Sequence, residues 1–470
     1  TLKGLVKLDE AGHVAGDLAD SWETSDAVTW TFHLRPELTW HDGRPVGAED
    51  IKFTIEYIRA KVPVYRHHFK LIDTVLAPDA NTVVIRLSEP NPRVLVNLLV
   101  LRTLPRHIFE GIEDPKAFLG PEAAVGCGPY VFDGFDPAAG TVRFKAYAAY
   151  HRGRPKVDEV VFRLFKNPDT LYMALKKGEV DLPYFYAAGA DPVHIATLLG
   201  REEIVIHEIP NLGVPNVLFF NTAKPPLDQL DLRRALAMAI DYEEMVQLFA
   251  GGYGSVPCTG FVPHGSANHI DTPAMVHDPA LARKLLAGLG YRDTDQDGIL
   301  EKSGQPLSIE VIVRTDTAAN LRIAGLLKKR FAEVGVALAI KPVDTTLFRQ
   351  ISDKDRSHQL LLSRTTPWGM MMWAGLGTGY FDARNIGWAN LSDPSFTGIV
   401  DRMNTAVAPE TYASTAADLQ RFYADQLPGI ALYWNVLLQP AKRSLSGFRV
   451  SPMYGFLWEE TWFSLEARDR

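Results

Sequence analysis

Asn216-Val217-Leu218-Phe219-Phe220-Asn221-Thr222-Ala223-Lys224-Pro225-Pro226 is the stretch on which the fold turns. Val217 to Phe220 is a short run of β-branched, aliphatic and aromatic residues. It is closed by Asn-Thr and by two prolines that cannot continue a ladder, so it reads as a buried strand with an abrupt exit. After a polar turn, Asp231-Leu232-Arg233-Arg234-Ala235-Leu236-Ala237-Met238-Ala239-Ile240-Asp241 repeats apolar residues at helical spacing, and a helix capped by Asp231 is expected.

Outward from this point, strands and helices alternate. Thr29 to Arg35 alternates as a strand, Trp40-His41-Asp42-Gly43 reads as a hairpin turn, and Glu49-Asp50 opens a helix whose Ile51, Phe53, Ile55 and Ile58 share one face. Asn81 to Leu87, Val142 to Lys145, Val157 to Phe165, Leu307 to Val313, Val336 to Pro342 and Gln359 to Leu362 are further strands. Helices are expected within Asn91 to Arg102, from Leu171 to a stop at Gly178 with a strand after it, from a cap at Asp278 to Leu289, and from Ala318 to Val334. On the last of these, Lys328-Lys329-Arg330 is expected to be a solvated face. The alternation implies an α/β protein.

With 470 residues the chain exceeds one compact core, so two or three domains are expected. A composition of 46% hydrophobic and 22% charged residues gives no sign of disorder. A net charge of -7 excludes a typical nucleic-acid binder, which carries a basic domain. No apolar run approaches the roughly 20 residues that span a bilayer. The chain begins at Thr1 without a secretory leader and is expected to be a processed or trimmed form. Cys127 and Cys258 leave two readings open, one disulfide or two buried thiols; neither has a second Cys or His at metal-ligand spacing.

Three ordered blocks carry a resemblance. They are Asp17-Leu18-Ala19-Asp20-Ser21-Trp22-Glu23 through Trp40-His41-Asp42-Gly43-Arg44-Pro45, then Ala174-Leu175-Lys176-Lys177-Gly178-Glu179-Val180-Asp181, and then the opening stretch with its helix. Together with Gly126-Cys127-Gly128-Pro129-Tyr130 they resemble the extracytoplasmic solute-binding proteins of peptide and nickel ABC importers. That resemblance implies a two-lobed, periplasmic binding protein-like α/β fold of type II with an extra subdomain. The expected division is 1–220 for the N-terminal part of the larger lobe, with the strand-rich subdomain at about 20–150; 221–440 for the second lobe; and 441–470 for the return. It also implies a monomeric receptor in the periplasm or elsewhere outside the cytoplasm, which takes a solute into an interlobe cleft and delivers it to a membrane permease. No catalysis is expected. The sequence contains no G-x-S-x-G, H-E-x-x-H or P-loop, although a carboxylate pair escapes any motif search.

Specificity is expected from Ser363-Arg364-Thr365-Thr366-Pro367-Trp368-Gly369-Met370-Met371-Met372-Trp373, running on to Tyr380-Phe381-Asp382-Ala383-Arg384. Trp368, Trp373 and Tyr380 beside three methionines would form an adaptable wall, and Arg364 and Arg384 would clamp a carboxylate. The plain alternative makes the aromatics core and the arginines surface. Peptide receptors of the resembled family place an Asp in this segment to meet the peptide amine, whereas 367–372 holds no acid. The nickel receptors instead hold a metal chelate read by arginines and aromatics. Arg66, His67, His68 and Lys145 resemble positions in them, with His67 or His68 as a metal ligand, though adjacent histidines rarely face one point. The expected ligand is therefore a nickel or related metal chelate, with no cofactor required; a di- or oligopeptide is the alternative. Finally, Asp293-Thr294-Asp295-Gln296-Asp297-Gly298 opens like a calcium loop, but its twelfth position is Gly304 rather than Glu. A polar hairpin is the expected reading.

Overall fold

The structure, a computed structural model, describes residues 1–10, 12–185, 189–316, 318–372, 375–451 and 454–467, with the backbone alone at 63, 64, 67, 318 and 372. The chain forms two compact units: Thr1–Tyr184 with Leu198–His207 and Pro440–Arg470, and Phe185–Thr197 with Glu208–Gln439.

The first unit is assembled from small antiparallel sheets. Strands β1 (Val6–Leu8) and β2 (Val14–Gly16) form a hairpin. β3 (Ala19–Glu23), β4 (Thr29–Leu34), β5 (Ile72–Asp79) and β6 (Thr82–Leu87) form a sheet in the order β3-β4-β6-β5. β7 (Tyr130–Asp136), β8 (Thr141–Ala146) and β9 (Glu159–Arg163) form a third. The alternation legible in the sequence is the register of the second sheet: Trp30 faces Ile85 and Phe32 faces Val83, all four buried. The helix Ala48–Lys61 covers β5 and β6 with Ile51, Ile55 and Ile58, while Phe53 is half-buried. Its start is fixed by Asp50, whose carboxylate accepts from Gly47 N at 2.9 Å and Arg106 N at 3.0 Å. Gly126 and Gly128 flank the backbone of Thr1, and a Cβ at either would collide with the Thr1 carbonyl. Two expectations change. The helical segment within 91–102 shortens to Val94–Leu98, and among the described residues Glu179-Val180-Asp181 after Gly178 form no strand, the φ of +75° at Gly178 ending the helix Pro168–Lys176.

A buried ionic cluster ties the ends of this unit together. Lys3 Nζ lies 2.6 Å from Asp17 Oδ1 and also pairs with Glu459. Glu459 further accepts from the Tyr150 hydroxyl and from Arg152 Nη1, each at 2.7 Å. Burial alone would raise the Glu459 carboxyl, but the charges of Lys3 and Lys7 and these hydrogen bonds hold it well below the usual range.

The second unit is built on one mixed sheet of β11 (Asn216–Phe220), β12 (Gly254–Ser255), β15 (Ser308–Arg314), β16 (Ala337–Val343), β17 (Leu360–Ser363) and β18 (Gly429–Lys442), with β10 (Ile204–Pro210) at its edge; β10 up to His207 and β18 from Pro440 are counted with the first unit. A small hairpin of β13 (Glu301–Lys302) and β14 (Gln305–Pro306) precedes β15, while β19 (Leu445–Ser446) and β20 (Glu466–Ala467) pair in the first unit. The sheet order is β10-β18-β11-β17-β15-β16, with β12 beside β18. Its central strands are apolar without interruption because both faces are covered. Leu218 and Phe220 join one core with Val311, Leu360 and Leu362, and Val217 and Phe219 join the other with Ile312 and Leu361. The helices Leu230–Met238, Tyr242–Ala250, Pro279–Gly288 and Ala318–Ala332 close the first core, and Pro394–Thr405 and Pro409–Gln426 close the second.

The opening stretch owes its form to tertiary bonds. Asn221 Nδ2 donates to His358 O at 2.8 Å, and Asn221 N to Gln359 O at 2.9 Å. Arg233, buried, donates to Leu227 O at 2.8 Å and to Gln426 O at 2.6 Å, capping the end of the helix Pro409–Gln426. Asp231 is not the cap: the helix begins at Leu230 after Gln229, and Asp231 pairs with Arg234 in its first turn. Arg330 also departs from expectation, since it binds Glu244 and Glu333 instead of standing in solvent.

Candidate functional site

β15 and β17 run parallel and side by side, so their C-terminal ends, Arg314 and Ser363, open onto the same edge of the sheet. Ligand groups gather at such edges in open α/β sheets. Arg314 donates to Asp316 Oδ1 at 3.1 Å, and Thr345 Oγ1 lies 3.4 Å from Asp316 Oδ2. Against the effect of burial, Arg314, Thr345 and the charge of Arg364 hold the Asp316 carboxyl below its ordinary range. Arg364 itself is exposed and, among the described residues, has no hydrogen-bond or ion-pair partner. Immediately behind it, Thr365 is fixed: its hydroxyl accepts from Val214 N at 2.8 Å, and its N–H donates to Val214 O at 3.0 Å. A rigid backbone therefore presents a free guanidinium.

The rest of the segment divides. Trp368 is half-buried on the short helix Pro367–Met372. Tyr380 is only 4% exposed and sits in an aromatic cluster, with ring centroids 5.0 Å from Trp388 and 6.0 Å from Phe219; its hydroxyl lies against Gly369. Burial pushes its phenol up. Phe381 is fully buried, 4.9 Å from Phe261 and 4.7 Å from Tyr423. For Tyr380 and Phe381 the core reading thus describes their surroundings. Trp373 lies outside the described residues. Arg384 is already forked onto two carboxylates, at 2.8 Å from Asp382 and 2.9 Å from Asp401, so its donors are committed.

The other expected residues belong to the first unit, Lys145 on a strand and Arg66, His67 and His68 on the short helical turns of 63–69. Arg66, exposed, donates to Ala60 O at 3.1 Å at the end of the short helix Pro63–Arg66. Lys145, on β8, pairs with Asp133 at 2.9 Å. His68 is buried with its ring 6.5 Å from that of Tyr65, and the His67 side chain lies outside the described set.

Two groups among the described residues bring three or more metal-ligating side chains within 4.8 Å of one another, and His68 is in neither. Asp293, Asp295, Asp297 and Glu301 form one. Glu301 fills in from the ninth loop position instead of the twelfth, yet it already accepts from Thr294 N and Oγ1 at 2.7 Å, and Asp295 and Asp297 accept from the loop's own N–H groups. The loop satisfies itself, as a polar hairpin does. The second group, His264, His269 and Asp271, was not singled out in the sequence; an H-x4-H-x-D spacing was its only signal. Both cysteines are free and buried, and burial pushes the Cys127 thiol up to about 12.

The chain belongs to the bacterial extracellular solute-binding proteins, family 5 Middle, which it matches over residues 13–393. A Brucella ovis protein named as an ABC transporter peptide-binding protein is 30% identical over 352 residues, 73% of this chain; the match spans 63% of that relative's length. NikA of Brucella suis, solved in complex with Fe(III)-EDTA, superposes with a TM-score of 0.85 at 19% identity, covering 99% of this chain and 94% of NikA. NikZ of Campylobacter jejuni, solved with Ni(L-His), gives 0.77 at 22% identity, covering 98% and 93%. The two-lobed α/β fold and the family expected from the sequence are both borne out. None of the helices described is long and apolar enough to cross a membrane.

Proposed function

We propose that this chain is the solute receptor of an ABC importer, working in the periplasm or elsewhere outside the cytoplasm as a monomer. It captures a small anionic solute, a nickel or related metal chelate, and hands it to the membrane permease without making or breaking a bond. Family membership supports the class. For the solute, the observation that carries the reading is the pairing state of the charges in the segment 364–384. Arg364 is free, and the first acid after it, Asp382, is 5% exposed and held by Arg384. A carboxylate finds a donor there, whereas a peptide ammonium finds no uncommitted acid. Burying an unmet charge in a closed site is costly. Solved relatives that hold Ni(L-His) and Fe(III)-EDTA agree with such a ligand.

A di- or oligopeptide is the second reading, favoured by the naming of the Brucella relative. Native mass spectrometry of the protein as purified, with metal analysis of the same sample, separates the two. A bound mass containing nickel and a small organic acid or amino acid is expected; a spread of peptide masses without metal would replace the first reading by the second. Arg364→Ala should weaken a carboxylate-bearing ligand by about 2–3 kcal/mol, the scale of a lost charge-assisted hydrogen bond. Unchanged affinity in a thermal-shift titration would remove Arg364 from the site.

A further inference from the structure

The loop 257–275 of the second unit is built to hold a pair of imidazoles. Its two arms are stitched together: Thr259 N donates to Pro273 O and Met275 N to Pro257 O, each at 2.8 Å, and Gly260 N donates to Thr272 Oγ1 at 2.8 Å. Cys258, Phe261 and Val262 anchor the loop in the aromatic core. Gln420, fully buried, donates to Asn268 O at 2.7 Å and accepts from Ile270 N at 3.0 Å, gripping the backbone on both sides of His269. The His264 ring stands edge-on to the indole of Trp434 at 4.6 Å.

Proton accounting at His269 decides what the pair offers. Its Nδ1 lies 2.9 Å from Val262 O, and a carbonyl can only accept, so Nδ1 carries the hydrogen. The neutral ring then offers a lone pair at Nε2, which accepts from His264 Nδ1; a metal held by both atoms takes the place of that hydrogen, and His264 then carries its own on Nε2. A backbone carbonyl fixing the tautomer through the other ring nitrogen is how a metal-ligating histidine is ordinarily oriented. His264 Nδ1 lies 3.0 Å from this Nε2, and Asp271 Oδ1 lies 3.5 Å from it. Two ligands held tetrahedrally at about 2.0–2.1 Å from a zinc ion stand about 3.3 Å apart. Both separations from His269 Nε2 lie close to that spacing, all three atoms fall within 4.8 Å of one another, and Asp271, 99% exposed, is free to turn.

We propose that His264 Nδ1, His269 Nε2 and Asp271 Oδ1 form a divalent transition-metal site on the second unit, with the remaining coordination positions open to water. Two imidazoles and one carboxylate suit zinc, cobalt, nickel or copper ahead of calcium or magnesium. The site does not depend on the solute proposed for Arg364, and both cysteines are buried away from solvent.

The test uses the full chain stripped with EDTA and dialysed. Titration with ZnCl2 should give a site of one equivalent, and CoCl2 should give a visible absorption band of a nitrogen- and oxygen-ligated ion. His269→Ala and His264→Ala should each lose the cobalt band and bind zinc at least tenfold more weakly. Asp271→Asn, at a fully exposed side chain, should melt with the wild-type metal-free protein yet bind zinc several-fold more weakly. Arg364→Ala should take up ZnCl2 like wild type, so failure of the solute assignment and failure of this site are told apart. The proposal is overturned if wild type takes up no zinc at micromolar concentration, or if the three variants bind ZnCl2 as wild type does.

Discussion

The ends of the first unit and the middle of the second are held by opposite means. Around Lys3, Asp17 and Glu459 the interior is ionic: charges far apart in sequence meet in a dry space and satisfy one another. Around Phe219, Phe261, Phe381 and Tyr423 it is aromatic, built of uncharged rings 4.7 to 6.0 Å apart. An ionic core tolerates no single loss because each partner's desolvation is balanced only by the other, whereas an aromatic core loses stability roughly by the volume removed.

Removing one partner should give the largest effect. Glu459→Ala leaves Lys3 facing Asp17 alone and strips Tyr150 and Arg152 of an acceptor, and a loss of about 3–5 kcal/mol in urea unfolding is expected. Replacing Lys3, Asp17 and Glu459 together by apolar residues, Met, Leu and Leu, should recover most of it, because no buried charge is then left unpaired. If the triple replacement is as damaging as the single one, the ionic cluster is not the source of the loss. Acid should act on the same unit. The folded Glu459 carboxyl titrates far below the unfolded value of about 4.3, and burial pushes the imidazoles of His41 and His151 down to about 4 from an unfolded value of about 6.5. The unfolded chain therefore binds protons that the folded one refuses. Stability should begin to fall as pH drops below about 6.5, the two imidazoles carrying the loss down to about 4 and the Glu459 carboxyl carrying it on, less steeply, below that, which calorimetry across the range reads directly.

Smaller effects sharpen the contrast from the aromatic side. Tyr380→Phe keeps the ring among Phe219 and Trp388 and removes only a buried hydroxyl, so about 1 kcal/mol is expected in urea unfolding. A much larger loss would mean that this core also leans on polar bonds. Glu460→Gln should be smallest. Its pairs with Lys7 and Arg152 reach toward solvent, where ion pairs contribute about 0.2–1 kcal/mol, and 0.5 M salt should erase the difference from wild type.

Why the fold was so legible and the site so little follows from what the recognised residues do. Asn221, Arg233, Asp50 and the glycines around Cys127 are bound to backbone: to the His358 carbonyl, to the end of the helix Pro409–Gln426, to a helix start and to the carbonyl of Thr1. Such residues mark a backbone path and carry no information about a solute. Apolar periodicity likewise located β11, β15 and β17, because a strand covered on both faces has to be apolar throughout.

The candidate site depended on partners that spacing does not reveal. Arg364 and Arg384 look alike in sequence, but only Arg384 has Asp382 and Asp401 within reach. Tyr380 and Trp368 look alike as wall residues, but one is enclosed and the other half-open. His67-His68 drew attention by adjacency, while His264, His269 and Asp271 converge because the loop 257–275 is stitched back on itself and Gln420 grips the backbone on both sides of His269.

The sequence by itself thus determined the α/β class, the family and the course of the central strands, since those rest on local periodicity and on side chains that bind nearby backbone. Tertiary structure alone decided which arginine is free, which aromatics are core and which histidines meet. Charge pairing, burial and convergence of lone pairs are properties of distances between residues far apart in the chain, and folding is what sets those distances.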